Sequence, residues 1–145
     1  MSFEISASGL TAQRTRMNVI ANNLANINTT RTPEGGPYRK RNVVFSTKSV
    51  KDSSFGTILS EMEKKIGNGV EVTEIVEDRS ETAFIEVYDP THPDADERGF
   101  YYRPNINAIH EMVDLIDASR AFEANVTAIN AAKQMGQSAL RIGST

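Results

Sequence analysis

Along the first 27 residues, apolar side chains return at heptad intervals. Phe3, Leu10, Met17 and Leu24 lie seven residues apart, with Ile20 and Ile27 three beyond the last two. That spacing sets them along one stripe of a helix, as in a coiled-coil seam, although Ser6 and Gln13 occupy the matching earlier positions. The pattern predicts a helix over residues 3–27. It ends near Asn28, a residue type that tolerates the left-handed conformation at a helix end, and Pro33 bars easy continuation. A longer stripe closes the sequence: Met112, Leu115, Ser119, Phe122, Val126, Ile129, Lys133, Gly136 and Leu140 alternate by three and four. It predicts a helix from about Ala108 to Ile142, with Asn107 placed to accept a hydrogen bond from a free amide of the first turn. At 1.5 Å per residue this helix is about 50 Å long, more than the core of a 145-residue chain can cover.

Between the stripes the character changes. Gly35-Gly36-Pro37 marks a turn and Asn42–Ser46 is strand-like. Val70–Val76 and Ala83–Tyr88, rich in β-branched and aromatic residues, predict two more strands, with Phe100–Tyr102 adding a third candidate after the proline-containing loop Asp89–Gly99. Phe55, Ile58, Leu59, Met62 and Ile66 follow helical spacing before Gly67, which predicts a short amphipathic helix over residues 55–66. The expected fold class is α+β: long N- and C-terminal helices paired as an antiparallel, coiled-coil-like hairpin, with a small β-rich middle segment inserted between them. The corresponding boundaries are 1–28, 29–104 and 105–145.

Composition narrows the possibilities. Apolar residues make up 39% of the chain and Trp is absent, below the ~45–50% usual for a soluble domain, so part of the apolar surface leans on a partner for burial. A net charge of −3 argues against a general nucleic-acid binder and gives no reason for attraction to anionic lipid. With no cysteine, disulfides, thiolate metal sites and thiol nucleophiles are excluded. No apolar run approaches the ~20 residues of a membrane span. The start, Met1 to Ser6, lacks the basic and apolar stretches of a cleaved secretory signal.

Candidate chemistry is sparse. The loop Asp89 to Gly99 gathers carboxylates with His92, and Asp94, Asp96 and Gly99 match positions 1, 3 and 6 of a calcium loop. Arg98 and Asn105 then stand where oxygen donors are required, so the loop reads as a solvated or interface loop carrying Asp89, His92, Asp94 and Asp96, and no metal or cofactor is expected. A metal-binding or enzymatic role for His92, Asp94 and Asp96 is the alternative from another class. His110 sits in the first turn of the second helix with no nucleophile identified near it. Arg31, Arg39, Lys40 and Arg41 form a basic cluster, either a solvated loop with locally balanced charge or a site for phosphate or an acidic partner surface; the negative overall charge favours an intersubunit or intrasubunit role over nucleic acid. Asn22, Asn23, Asn26 and Asn28 crowd the end of the first helix, where Asn is a poor helix former. Either that end frays, or Asn22 and Asn26, four apart on one face, fix the register between packed helices. The motifs of P-loops, dinucleotide folds, nucleophile elbows and zincins are absent, and no catalytic residue is assigned.

Ser8-Gly9-Leu10-Thr11-Ala12-Gln13, followed by Ile20-Ala21-Asn22-Asn23-Leu24-Ala25-Asn26, resembles the N-terminal signature of bacterial flagellar axial proteins, the rod and hook subunits. Thr32 to Arg39, Asp89 to Gly99, and Pro104-Asn105-Ile106-Asn107 are similar to the proximal rod members of that superfamily. The resemblance covers both ends and most of the middle, and thins over residues 51–68. It implies a non-enzymatic building block of the periplasmic rod, which transmits motor torque, with another rod or hook subunit as the nearest alternative. It further implies export through the flagellar type III apparatus without a cleaved signal, and terminal helices that are disordered in free subunits and pack on assembly. The implied partners are copies of itself and other rod proteins, with no nucleic acid and no membrane insertion. The expected packing seam is Phe3, Leu10, Met17, Ile20, Leu24 and Ile27 on the first helix, and Met112, Leu115, Phe122, Val126, Ile129 and Leu140 on the second.

Overall fold

A computed structural model describes residues 2–48 and 69–143; the short helix expected over 55–66 lies outside the described residues. Helix α1 spans Ser2–Ala25. Strands β1 (Arg41–Thr47), β2 (Val70–Glu77), β3 (Phe84–Tyr88) and β4 (Phe100–Pro104) follow, and helix α2 spans Ala108–Gly143. The first helix closes slightly earlier than its apolar stripe suggests, in a turn where Asn26 N donates to Asn22 O and Thr29 N to Asn26 O. Asn107 caps α2 as expected: its Oδ1 accepts from Ile109 N at 2.9 Å and His110 N at 3.3 Å, satisfying two of the orphan donors of the first turn.

The β-rich middle is two separate antiparallel pairs, β1–β2 and β3–β4. In the first, Val44 faces Glu74 and Phe45 faces Val72. Thr73 is therefore the extra residue of a bulge, which turns the strand, and its hydroxyl bonds Ser46 Oγ at 2.7 Å. This pair packs on α1. Its second strand enters at Gly69, whose φ of +77° suits glycine. Val70 N donates to Ser8 Oγ at 3.0 Å, and Ser8 Oγ donates to Ile5 O at 2.7 Å. A Cβ on Gly69 would run into the Ser8 side chain, so glycine is required there on two counts.

Helices α1 and α2 pack on one another. Gly9 faces Asn125, Arg16 Nη2 meets Asp114 Oδ1 at 3.2 Å, and Asn23 bonds Glu111. The residues buried on α1 are Ser6, Gly9, Ala12, Val19, Ile20 and Asn23, and those on α2 are Glu111 and Ala118. The face that α1 buries is thus mostly small or polar. The seam expected from the large apolar residues lies to its side. Phe3, Met112 and Leu140 are exposed, at 46%, 48% and 76%, while Leu10, Met17, Leu24, Ile27, Leu115, Phe122, Val126 and Ile129 are half-buried. Ile20 alone of the expected set is buried. The physical reason is steric: helix backbones approach most closely where side chains are shortest, so Gly9 is drawn to the contact and bulkier neighbours flank it. At 1.5 Å per residue, α2 with its 36 residues outruns the 24-residue α1. Every residue from Lys133 to Arg141 is exposed.

Candidate functional site

Where α1 ends, β1 begins and α2 starts, a cluster of polar side chains is buried together. Asn23 is 1% exposed, and all four hydrogen-bonding positions of its amide are used. Its Nδ2 donates to Arg41 O at 2.9 Å and to Glu111 Oε2 at 3.0 Å. Its Oδ1 accepts from Tyr38 OH at 3.1 Å and Arg41 N at 3.0 Å. Glu111, also 1% exposed, turns its other oxygen to Lys40 Nζ at 2.6 Å. Burial is the main cause that raises the Tyr38 phenol above its ordinary value of 10.0, so it stays a hydroxyl donor throughout the neutral range. Two helices, the chain reversal and the first strand are thereby tied at one point. Groups of this kind are costly to bury without partners and specify a unique arrangement when satisfied.

The sequence offered Asn22 and Asn26 for this role, with a fraying helix end as the alternative. Both amides instead bond their own helix, to Asn18 O at 3.0 Å and Asn22 O at 2.9 Å. The side chain that reaches across is Asn23, one position away. A signal for it existed: Glu111 falls on the same three-and-four spacing as Leu115, Ala118 and Phe122, an ionisable residue at an inward position that calls for a buried partner.

The loop from Asp89 to Gly99 joins β3 to β4, and its acidic groups do not converge. Asp89 Oδ1 accepts from Thr91 Oγ1 at 2.6 Å and Thr91 N at 3.0 Å. Asp96 Oδ1 accepts from Arg98 N and Phe100 N, both at 2.9 Å. Asp94 Oδ2 accepts from Thr30 Oγ1 at 2.7 Å, which ties the loop to the segment after α1. His92 stacks on Tyr101 with ring centroids 4.0 Å apart, and its Nδ1 accepts from Asp94 N. Among the described residues, no group of three His, Cys, Asp or Glu is placed to hold a metal ion. The carboxylates of Asp89 and Asp96 serve as internal caps that stiffen the loop.

The bonds from Thr91, side chain first, hold the Asp89 carboxyl below its ordinary value of 3.8. A depressed carboxylate stabilises the fold above its unfolded pKa, and that contribution is lost as pH falls through the folded value. The loop is therefore expected to be intact at neutral pH and to loosen only below about pH 4. An NMR titration should place the Asp89 transition below that of the same residue in a Thr91→Val variant; coincident transitions would refute the assignment.

A second feature lies on the outside of α2. Ile109, Met112, Val113 and Ile116 occupy successive positions on one helical face and are 48–67% exposed. Phe3 and Ile5 on α1, and Met135 and Leu140 beyond the reach of α1, are likewise exposed. Contiguous apolar surface of this sort marks contact sites.

Comparison with known proteins identifies the family. The family model "Flagella basal body rod protein" matches residues 3–31, and the model "Flagellar basal body rod FlgEFG protein C-terminal" matches residues 97–142. The chain is 47% identical to the flagellar basal-body rod protein FlgC of Bacillus subtilis, over 98% of this chain and 96% of the relative. It is 44% identical to FlgC of Borreliella burgdorferi, over 97% and 95%. With FlgC of an Escherichia coli strain the identity is 36%, over 97% and 95%. The chain belongs to the FlgC family of flagellar basal-body rod proteins. Within that FlgC frame, Asn23 lies in the N-terminal matched segment and Glu111 in the C-terminal one. Their hydrogen bond joins the two parts that the family models describe separately.

Proposed function

We propose that the chain is a structural, non-enzymatic subunit of the proximal rod of the flagellar basal body. Its terminal helices pair as an antiparallel hairpin, and their outer apolar faces are covered by neighbouring subunits. The observation that carries this reading is the exposed stripe Ile109, Met112, Val113 and Ile116 together with the uncovered end of α2. The order of the contacts supports the pairing: Asn23 meets Glu111, Arg16 meets Asp114, and Gly9 meets Asn125. Covering these faces removes apolar area from water at about 25 cal/mol per Å². Heterologous contacts that do not close build a helical tube able to carry torque. Membership of the FlgC family supports copies of the chain and other rod proteins as partners. Export through the flagellar type III apparatus and a periplasmic position belong to the same reading.

Deleting the gene and imaging basal bodies tests the role: rods are expected to be missing, and intact rods with normal motility would sink it. A narrower expectation concerns Leu115 and Phe122, half-buried beside the helix contact. Aspartate at either position puts a charge where neighbouring helices are to pack, which costs several kcal/mol. Rod completion is expected to fall about tenfold or more, while the β3–β4 hairpin keeps its NMR fingerprint. Unimpaired rods would refute the placement.

A further inference from the structure

Beside the end of α1 lies a cavity of about 630 Å³, walled by the segment from Asn26 to Arg41 and by the end of β2 with Arg79. Four guanidiniums, from Arg31, Arg39, Arg41 and Arg79, line it against two carboxylates, Glu34 and Glu77. This positive excess stands out in a chain whose net charge is −3. Two of the arginines are already held. Arg41 bonds Glu77 Oε1 through Nε at 3.2 Å and Nη2 at 2.9 Å. Arg39 donates to Asp78 O at 3.2 Å and lies over the Phe84 ring, 4.7 Å from its centroid. The other two, Arg31 and Arg79, are exposed and have no ion pair among the described residues.

The walls are firm. Tyr38 is anchored to Asn23, and the turn at Pro33–Gly36 is closed by Thr32 N to Gly36 O at 2.9 Å and Gly35 N to Thr32 O at 3.0 Å. A volume of this size lies in the range of ligand-sized clefts, about 300–1,000 Å³. A guanidinium's planar fork matches a carboxylate in a bidentate manner, and with the walls held only the exposed Arg31 and Arg79 side chains remain to be ordered on binding.

We infer that this cavity docks an acidic segment of a neighbouring rod subunit, whose carboxylates pair with Arg31 and Arg79. The excess of two guanidiniums over the wall carboxylates Glu34 and Glu77 matches a segment with a few carboxylates better than a compact polyanion such as phosphate or nucleic acid. The proline and tyrosine walls suit a peptide that brings apolar atoms along with its carboxylates. The inference rests on the rod-subunit reading and adds a second contact to it, electrostatic and distinct from the helix faces.

The test is a strain carrying the full chain with Arg31→Glu and Arg79→Glu together, scored for rod-bearing basal bodies and swimming. Arg103→Glu, an exposed change on β4, is the control. A fall of about tenfold or more in completed rods is expected for the double reversal, with the control unchanged. Suppressors that restore swimming are expected to change an acidic residue of a rod subunit to lysine. Should the double reversal lower the amount of protein in the cell, the milder pair Arg31→Gln and Arg79→Gln, at normal protein level, must still slow rod completion. Normal rods in the double variant, or a defect equalled by the control, would overturn the inference. If deletion of the gene abolishes rods while the double variant builds them, the docking inference alone fails and the rod-subunit reading stands. Suppressors confined to genes of phosphate or nucleic-acid metabolism would also overturn it, pointing to a polyanion instead.

Discussion

Replacing Asn23 by alanine is expected to lower the urea midpoint of the purified chain by more than about 1 M, read on the helix signal. The substitution strips four groups of their partner at once: Tyr38 OH, Arg41 N–H, Arg41 C=O and Glu111 Oε2. A buried polar group left unpaired costs about 1–3 kcal/mol. With partial relaxation and some entry of water, the total is expected to be roughly 3–4 kcal/mol, a large share of the 5–15 kcal/mol that holds a typical domain. Aspartate at the same position is expected to be worse than alanine. It keeps the acceptor but puts an oxygen where Nδ2 stood, 2.9 Å from Arg41 O and 3.0 Å from Glu111 Oε2. Both substitutions act through geometry that joins α1 to α2, so the loss should appear in helix content before it appears in the β3–β4 hairpin. An unchanged midpoint for both variants would show that the buried cluster does not hold the helices in the free chain.

Gly9→Leu is expected to be the second most damaging change, at roughly 2–3 kcal/mol, the scale of an overpacked interior. A Cβ at Gly9 lies 2.9 Å from Asn125 Oδ1 and 3.1 Å from its Cγ. The Asn125 amide is itself tethered, donating to Ala121 O at 2.8 Å. Alanine adds only that Cβ, and the far end of an asparagine side chain can turn away. The gain of about 0.5–1 kcal/mol from replacing a mid-helix glycine then offsets most of the clash, and Gly9→Ala is expected to fall within about 1 kcal/mol of the parent. Leucine has no such escape, because its branches must enter the space held by α2. Thermal unfolding of the three proteins side by side checks the order: equal stability of the leucine variant and the parent would mean that the helices do not approach at Gly9.

These two positions show where the sequence could be read and where it could not. Element identity was written in local pattern. The heptad stripes of residues 3–27 and 108–142 became α1 and α2, the β-branched runs at 42–46, 70–76 and 83–88 became strands, and Asn107 became a cap, because each depends on the residue and its near neighbours. The phase of the helix contact was not local. Phe3, Leu10, Met17 and Leu24 draw the eye because large apolar residues dominate any hydrophobic count. Burial on this stretch of α1 nonetheless falls on Ser6, Gly9 and Ala12, and Gly9 is where α1 meets Asn125 of α2, since two backbones come nearest where side chains are smallest. The same limit explains Asn22 and Asn26. A run of asparagines announces polar chemistry, but only the rotation of α1 against β1 and α2 selects Asn23 as the one that is buried.

The loop 89–99 makes the complementary case. Its composition allowed a metal site, and counting oxygen donors against the calcium pattern already disfavoured it. The fold supplies the positive account: Asp89 and Asp96 turn back on the loop's own backbone and Asp94 reaches Thr30, a use of carboxylates that no spacing rule distinguishes from ligation. By itself, then, the sequence determined the two long helices, the strand segments between them and the likeness to flagellar axial proteins, because periodicity and short motifs are local properties. Tertiary structure alone decided which helix face turns inward, that Asn23, Tyr38, Lys40 and Glu111 meet, and that four arginines share one cavity. Those facts rest on residues 88 and 98 positions apart, brought together by the packing of the whole chain.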